Sequence, residues 1–251
     1  MSGLLEGKVA IITGAGRGIG SSMALVFASE GARLTLAGRT LSALQETADR
    51  VQALGGEALC VVTDVSVAAD CRRLVEATVE KFSRVDCAVN NAAIDGPQAP
   101  TADYPEKDFD DVLATNVKGV WNCMRHQIPA MTAGGSIVNI SSAVIEPAVP
   151  NMCAYVASKY AVTGLTKTAA LEYAAKGIRV NALVPGVVET KMVSDIFAAY
   201  PAMREPMLAK IASGRFGTCD EIGHAAAWLC SDRASYVMGA TLLVDGGFSL
   251  V

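Results

Sequence analysis

Four glycines stand at positions 14, 16, 18 and 20, between a short apolar run, Lys8 to Thr13, and a run of helical periodicity, Gly18 to Glu30. A chain passing from strand to helix through Thr13-Gly14-Ala15-Gly16-Arg17-Gly18-Ile19-Gly20 must turn tightly, as at the start of a parallel βαβ unit. Such a turn leaves backbone N–H groups and a helix N-terminus free to approach a phosphate. Ile19 occupies the place of the third glycine in the common G-x-G-x-x-G spacing, but the physical role is the same. Gly14, Gly16, Arg17, Gly18, Ile19 and Gly20 are therefore candidate cofactor contacts. The competing reading is an ordinary glycine-rich turn.

The strand–helix rhythm continues to the end of the chain. Strands are expected at Arg33 to Ala37, Ala58 to Val62, Val85 to Val89, Ser136 to Ile140, Arg179 to Leu183 and Thr241 to Val244. Helices are expected over Leu41 to Leu54, Val67 to Phe82, about Pro105 to Met131, and Cys153 to Ala175. Seven strands with long crossovers predict an α/β fold, a single-domain Rossmann-like doubly wound parallel sheet over residues 1–251. The 51% hydrophobic and 18% charged content suits a sheet buried on both faces. Residues 187–217 break the rhythm. Pro201 and Pro206 interrupt them, and Met192, Val193, Ile196, Phe197, Tyr200, Met203, Met207 and Leu208 make them apolar. That pattern predicts a substrate lid or a subunit contact.

Several function classes fall away on composition. The net charge is −4 and no basic run or face is visible, so nucleic acid is not an expected partner. The start, Met1 to Lys8, lacks the charged and apolar pattern of a signal peptide, and no apolar run reaches the roughly 18 residues of a membrane span. A cytoplasmic protein without a membrane partner is expected. The seven cysteines are odd in number and show no C-x-x-C pair, and His126 and His224 are the only histidines. Free thiols, no metal site and no Ser-His-Asp triad follow.

The chemistry concentrates elsewhere. Tyr155 and Lys159 stand four apart in a helical stretch, which puts a phenol and an ammonium on one face. A nearby cation favours phenolate, so the spacing predicts a lowered Tyr155 pKa. Thirteen residues upstream of Tyr155, Ser142 follows a strand-like run and could hold a substrate oxygen. Asn90-Asn91-Ala92-Ala93 closes the fourth strand, where ligands sit in open α/β sheets; its competing role is to satisfy turn backbone. Asp64, followed by Val65, ends the third strand and is either an adenine contact or a helix N-cap. Asn116 falls inside a helical stretch, where a solvated face is the plain reading. At the end of the second strand Gly38 stands where an NAD enzyme usually carries an acid, and Arg39 follows. A guanidinium there can bind a 2′-phosphate, so NADP (NADPH) is the expected cofactor, with Arg17 adding a second positive charge and NAD as the alternative.

The whole set resembles a classical short-chain dehydrogenase/reductase over nearly the full chain. The match rests on Thr13-Gly14-x-x-x-Gly18-x-Gly20, Asn90-Asn91-Ala92, Asn116, Ser142 and Tyr155-x-x-x-Lys159. It continues in Arg179-Val180-Asn181, Pro185-Gly186-x-x-x-Thr190 and Asp245-Gly246-Gly247. The resemblance implies Tyr155 as proton donor or acceptor, Lys159 on the nicotinamide ribose, Ser142 on the substrate oxygen and Asn116 holding a water. It implies Asn91, Pro185, Gly186, Val188 and Thr190 at the cofactor, and a homotetramer. Two departures stand out: Ala93 replaces a common glycine, and Ile145, followed by Glu146, stands where a glycine often follows the serine. The function expected is an NADP(H)-dependent oxidoreductase acting on a small ketone/alcohol pair with an apolar portion. An NAD-dependent secondary-alcohol dehydrogenase, a 3-oxoacyl-carrier-protein reductase and a non-catalytic nucleotide-binding protein are the competing readings.

Overall fold

The computed structural model describes residues 3–146 and 148–250. The reading of the chain start therefore lies partly outside the described residues, at Met1 and Ser2. The seven strands form one parallel sheet in the order β3-β2-β1-β4-β5-β6-β7. They are β1 (Val9–Thr13), β2 (Arg33–Gly38), β3 (Ala58–Val62), β4 (Val85–Asn90), β5 (Met131–Ile140), β6 (Arg179–Pro185) and β7 (Thr241–Val244). β1 lies between β2 and β4, with Ala10 opposite Leu34 on one side and Cys87 on the other. The winding direction reverses there, so the carboxyl ends of β1 and β4 flank the cleft where such sheets bind ligands.

Helices cover both faces because every central strand is apolar on both sides. On one face α1 (Gly18–Ser29), α2 (Leu41–Ala53) and α9 (Cys219–Cys230) contribute Met23, Phe27, Leu44, Val51, Ile222 and Ala226 to a core with Ile12, Leu34 and Leu36. The opposite face is covered by α3 (Ala68–Phe82), α5 (Gly119–Ala130) and α6 (Cys153–Tyr173). Leu74, Val75, Val120, Met124 and Val162 pack there on Ile11, Ala88 and Ile137. Thr218 and Glu221 form a reciprocal capping box that fixes the start of α9. Among the described residues no helix is long and apolar enough to cross a membrane.

Two elements differ from expectation. The single helix expected over Pro105 to Met131 is α4 (Glu106–Leu113), a π-helical turn at Ala114–Lys118, and then α5. β5 starts at Met131 rather than Ser136, because Met131 pairs with Val85 before a register shift that leaves 132–134 exposed. Residues 187–217 contain α7 (Lys191–Ala199) and α8 (Arg204–Leu208). Phe197 stacks on buried Phe216, ring centroids 5.2 Å apart. The Met192 and Ile196 side chains lie outside the described residues.

Candidate active site

The glycine turn is bare backbone by necessity. Gly14 has φ +67°, and a Cβ on it would stand 2.8 Å from Asn91 Nδ2. On Gly20 a Cβ would stand 2.2 Å from the Gly14 carbonyl oxygen. Helix α1 has no side-chain cap and no acid in its first turn, so its terminal N–H groups remain open to an anion. Arg17, immediately before α1, is exposed, and so is Arg39, just past β2. Gly16, Gly18 and Ile19 complete the turn, and Thr190 Cγ2 lies 3.8 Å from the position of a Cβ on Gly18. The end of β6 thus faces the glycine cradle. A cleft with a bare turn, an open helix terminus and a buried ammonium at its far side fits a nicotinamide dinucleotide.

Asn91 uses its side chain on the sheet. Its Nδ2 donates to the Thr13 carbonyl at 3.0 Å, and the backbone N–H groups of Asn91 and Ala92 both donate to Thr13 Oγ1. Asn90 is buried and bonded to Asn139 and Gln127. Asp64 is not a helix N-cap: its carboxylate accepts from the Ser66 N–H and hydroxyl, and Val67 holds the cap position of α3. The two-residue step to Ser66 satisfies the carboxylate before the helix begins. Val65 is buried, with its carbonyl held by Asn122 Nδ2 at 2.9 Å.

Asn116 lies in the π turn and is buried, so the solvated-face reading is overturned. The extra backbone residue turns its side chain inward, a recurrent use of π turns at functional sites. Its Oδ1 accepts from the Ile94 N–H, and its Nδ2 donates to the Ile94 carbonyl, each at 2.9 Å. The same Nδ2 lies 3.0 Å from the Ser158 hydroxyl, which donates to the Tyr155 carbonyl at 2.7 Å. Ser158 was not singled out in the sequence; an alcohol one residue before Lys159 was its only signal. Lys159 is buried, and its ammonium donates to the Ile140 carbonyl at 3.0 Å. The Lys159 Nζ stands 5.4 Å from the centre of the Tyr155 ring.

Electrostatically, the pair departs from the expectation drawn from spacing. Burial pushes the Tyr155 phenol up to about 12, Asp95 adds to the rise, and the Ser142 hydroxyl works the other way. Burial pushes the Lys159 ammonium down to about 8, partly offset by Asp95. Helical spacing brought the two groups together, but desolvation of the phenol raises its pKa more than the Ser142 hydroxyl lowers it. Asp95 is the second group that sequence reasoning missed. It is a half-buried carboxylate whose own pKa is raised by burial and lowered by Lys159.

On the other wall, Gly186 is pressed against Asp245, where a Cβ would stand 2.6 Å from the Asp245 Cα. The Asp245 carboxylate in turn accepts from the N–H groups of Gly247 and Ser249. Pro185 ends β6, and Val188 is buried and bridges Gly217. Thr190 Oγ1 accepts from the Val193 N–H at the start of α7. A cleft of about 300 Å³ lies beneath α7, lined by Val193, Phe197, Arg204 and Phe216 among others. Ser142 follows β5 and faces Tyr155 across the cleft floor. The structure thus gathers Asn116, Ser142, Tyr155 and Lys159 at one end of the sheet and the glycine turn beside them.

Fold and site together define an oxidoreductase of the nucleotide-dependent dehydrogenase and reductase class. A family model described as Enoyl-(Acyl carrier protein) reductase matches residues 14–249. An A-factor type gamma-butyrolactone 1'-reductase (1S-forming) from Streptomyces virginiae is 45% identical over 252 residues, 99% of this chain and 98% of its own. A cyclohexanol dehydrogenase from Acinetobacter sp. (strain SE19) is 38% identical over 251 residues, 99% of this chain and 98% of its own. The solved structure of levodione reductase superposes with a TM-score of 0.94 at 35% identity, covering 98% of this chain and 99% of that one. The chain belongs to the classical short-chain dehydrogenase/reductase family, whose members bind NAD(P).

Proposed function

We propose that this protein is an NADP(H)-dependent oxidoreductase that interconverts a small ketone and a secondary alcohol. The observation that carries this reading is the pairing of half-buried Tyr155 with buried Lys159 beside Ser142, at the carboxyl end of β5 and against the glycine turn. When bound, the nicotinamide cofactor supplies or accepts the hydride. Gly14, Gly16, Gly18, Ile19 and Gly20 offer backbone N–H groups to its pyrophosphate. Asp64, Val65 and Asn91 wall the adenine side, and Pro185, Gly186, Val188 and Thr190 the nicotinamide side. Lys159, whose only protein acceptor among the described residues is the Ile140 carbonyl, has donors left for the ribose hydroxyls.

Ser142 holds the substrate oxygen by its hydroxyl, and Tyr155 delivers the proton to that oxygen. A phenol held at about 12 keeps its proton at neutral pH, which suits a donor in reduction. In the oxidative direction the same oxygen takes the proton back, and a cationic Lys159 favours the phenolate that results. Asn116 fixes the turn of α6 that carries Tyr155 and holds a water next to it. Residues 187–217 form the lid over the apolar part of the substrate. NADP is favoured over NAD because Arg17 and Arg39 are exposed at the cradle rim and no acid ends β2. The protein works in the cytoplasm as a homotetramer; exposed Leu171 and Leu250 offer apolar surface for the subunit contacts.

The test is Tyr155→Phe. Positioned proton transfer contributes typically about 10²–10⁴-fold, so ketone-dependent oxidation of NADPH should fall by that order with cofactor affinity retained. A variant with half of wild-type turnover would sink the assignment.

A further inference from the structure

The strap 94–99 is tied at both ends to the helix that carries Tyr155. At one end Asn116 grips both the N–H and the carbonyl of Ile94 and passes the restraint through Ser158 to the Tyr155 carbonyl. At the other, the Ala99 N–H donates to the Asn151 carbonyl at 3.0 Å, and Ala99 bridges Met152, the residue before α6. The strap therefore runs alongside the first turn of α6. Between the ties Gly96 has φ +72°, and a Cβ on it would stand 2.3 Å from the Tyr104 hydroxyl and 2.9 Å from Val112 Cγ2. That packing fixes the bend, and with it the direction in which Asp95 leaves the backbone.

Asp95 is unlike the carboxylates that are bonded to the sheet and its loops. Asp64, Asp70, Asp86 and Asp245 each accept a backbone N–H. Among the described residues, none donates a hydrogen bond to Asp95, although it is half-buried. The two ties place Asp95 alongside the first turn of α6, and its charge acts on both Tyr155 and Lys159. A half-buried acceptor without a protein donor is a group left for water or ligand. An ionised carboxylate there accepts a strong bond from a hydroxyl and repels an anion.

We propose that Asp95 determines substrate choice. It selects oxo compounds that carry a hydrogen-bond donor, such as a hydroxyl, beside the reacting carbonyl, and turns away 2-oxo acids. This rests on the oxidoreductase reading of the same site.

Hydroxyacetone, butanone and pyruvate, given to wild type, Asp95→Asn and Asp95→Ala, test it through ratios of kcat/KM. A hydrogen bond to a charged group is worth about 10–150-fold, and partial exposure puts Asp95 at the low end. The hydroxyacetone/butanone ratio should fall about tenfold in Asp95→Ala. The pyruvate/butanone ratio should rise about tenfold in Asp95→Asn. If Asp95 acted only through the acidity of Tyr155, all three substrates would scale alike and both ratios would stay fixed. Ratios within about twofold of wild type, in variants whose melting curves show intact folding, overturn the proposal.

Calorimetric binding of the same compounds to the cofactor-loaded protein supplies a readout without turnover. Asp95-dependent binding of hydroxyacetone with no reduction of any ketone would strike the proposed function and leave Asp95 as the selector. Reduction with unchanged ratios would do the reverse. Binding of none of the three, with no turnover, overturns both.

Discussion

The Asn116 amide and the Ser158 hydroxyl meet at 3.0 Å, and this bond joins the π turn between α4 and α5 to the α6 turn that bears Tyr155. Asn116 also holds Ile94 by both backbone groups, so one side chain positions two walls of the cleft. Asn116→Ala leaves buried polar groups unpaired, each worth about 1–3 kcal/mol. We expect a stability loss on the order of 3 kcal/mol in urea titration. Turnover should fall at least about tenfold, because the Tyr155 turn loses its brace. Unchanged urea midpoint and turnover would remove Asn116 from this role.

The Lys159 ammonium is buried and held down at about 8, against an ordinary value of 10.5. Below about pH 8 the folded protein therefore carries a buried charge that the unfolded chain would solvate more easily. Between about 8 and 10.5 the unfolded chain binds more protons, so this destabilising contribution is relieved as pH rises. Lys159→Met lacks it at every pH. The stability of wild type relative to Lys159→Met should rise by on the order of 2 kcal/mol from pH 7 to about 10. Chemical denaturation at the two pH values reads the difference, and a flat or falling difference contradicts it. The upper limit stays at about 10, where tyrosine titration begins to act in the opposite sense.

The proposed preference for NADP rests on Arg39. With NADPH expected to exceed NADH by at least about tenfold in kcat/KM, corresponding to a charged hydrogen bond, Arg39→Asp should shrink or reverse the ratio. Steady-state rates with both cofactors at one ketone concentration series decide it. Equal use by the wild type would show that Arg39 does not read a phosphate.

The Phe197–Phe216 stack ties α7 to the segment before α9, and both rings line the cleft of about 300 Å³ beneath α7. Phe197→Ala should raise KM for an apolar ketone by roughly threefold to tenfold, in line with the loss of about 1–1.5 kcal/mol of apolar contact, and move KM for the cofactor far less. A substrate profile identical to wild type would make residues 187–217 a packing element instead of a lid.

Much of the fold is legible in the order of residues, because a parallel sheet buried on both faces needs continuous apolar runs. Ala58–Val62 and Thr241–Val244 come out with the expected bounds. The π turn was not legible: helical periodicity over 105–131 looks the same with or without one extra residue in a turn, and Asn116 is pointed inward by the backbone alone. The approach of Tyr155 to Lys159 follows from a four-residue spacing, but the sign of the Tyr155 shift does not. It depends on how much water the assembled cleft excludes, and that is a property of the folded surroundings. Asp95 is invisible for a related reason. A carboxylate in a loop acquires meaning only when the ties at Ile94 and Ala99 put it beside α6.

Thr13 and Asn91 stitch the ends of β1 and β4 together at the point where the sheet reverses its winding. A seam closed by these two hydrogen bonds and a third from the Ala92 N–H resists hinging, so the dinucleotide groove keeps a fixed gauge. It meets its occupant already shaped, and little ordering of the groove remains to oppose capture. Motion that admits substrate and releases product is then expected on the far bank, the chain beyond Pro185, rather than at this seam.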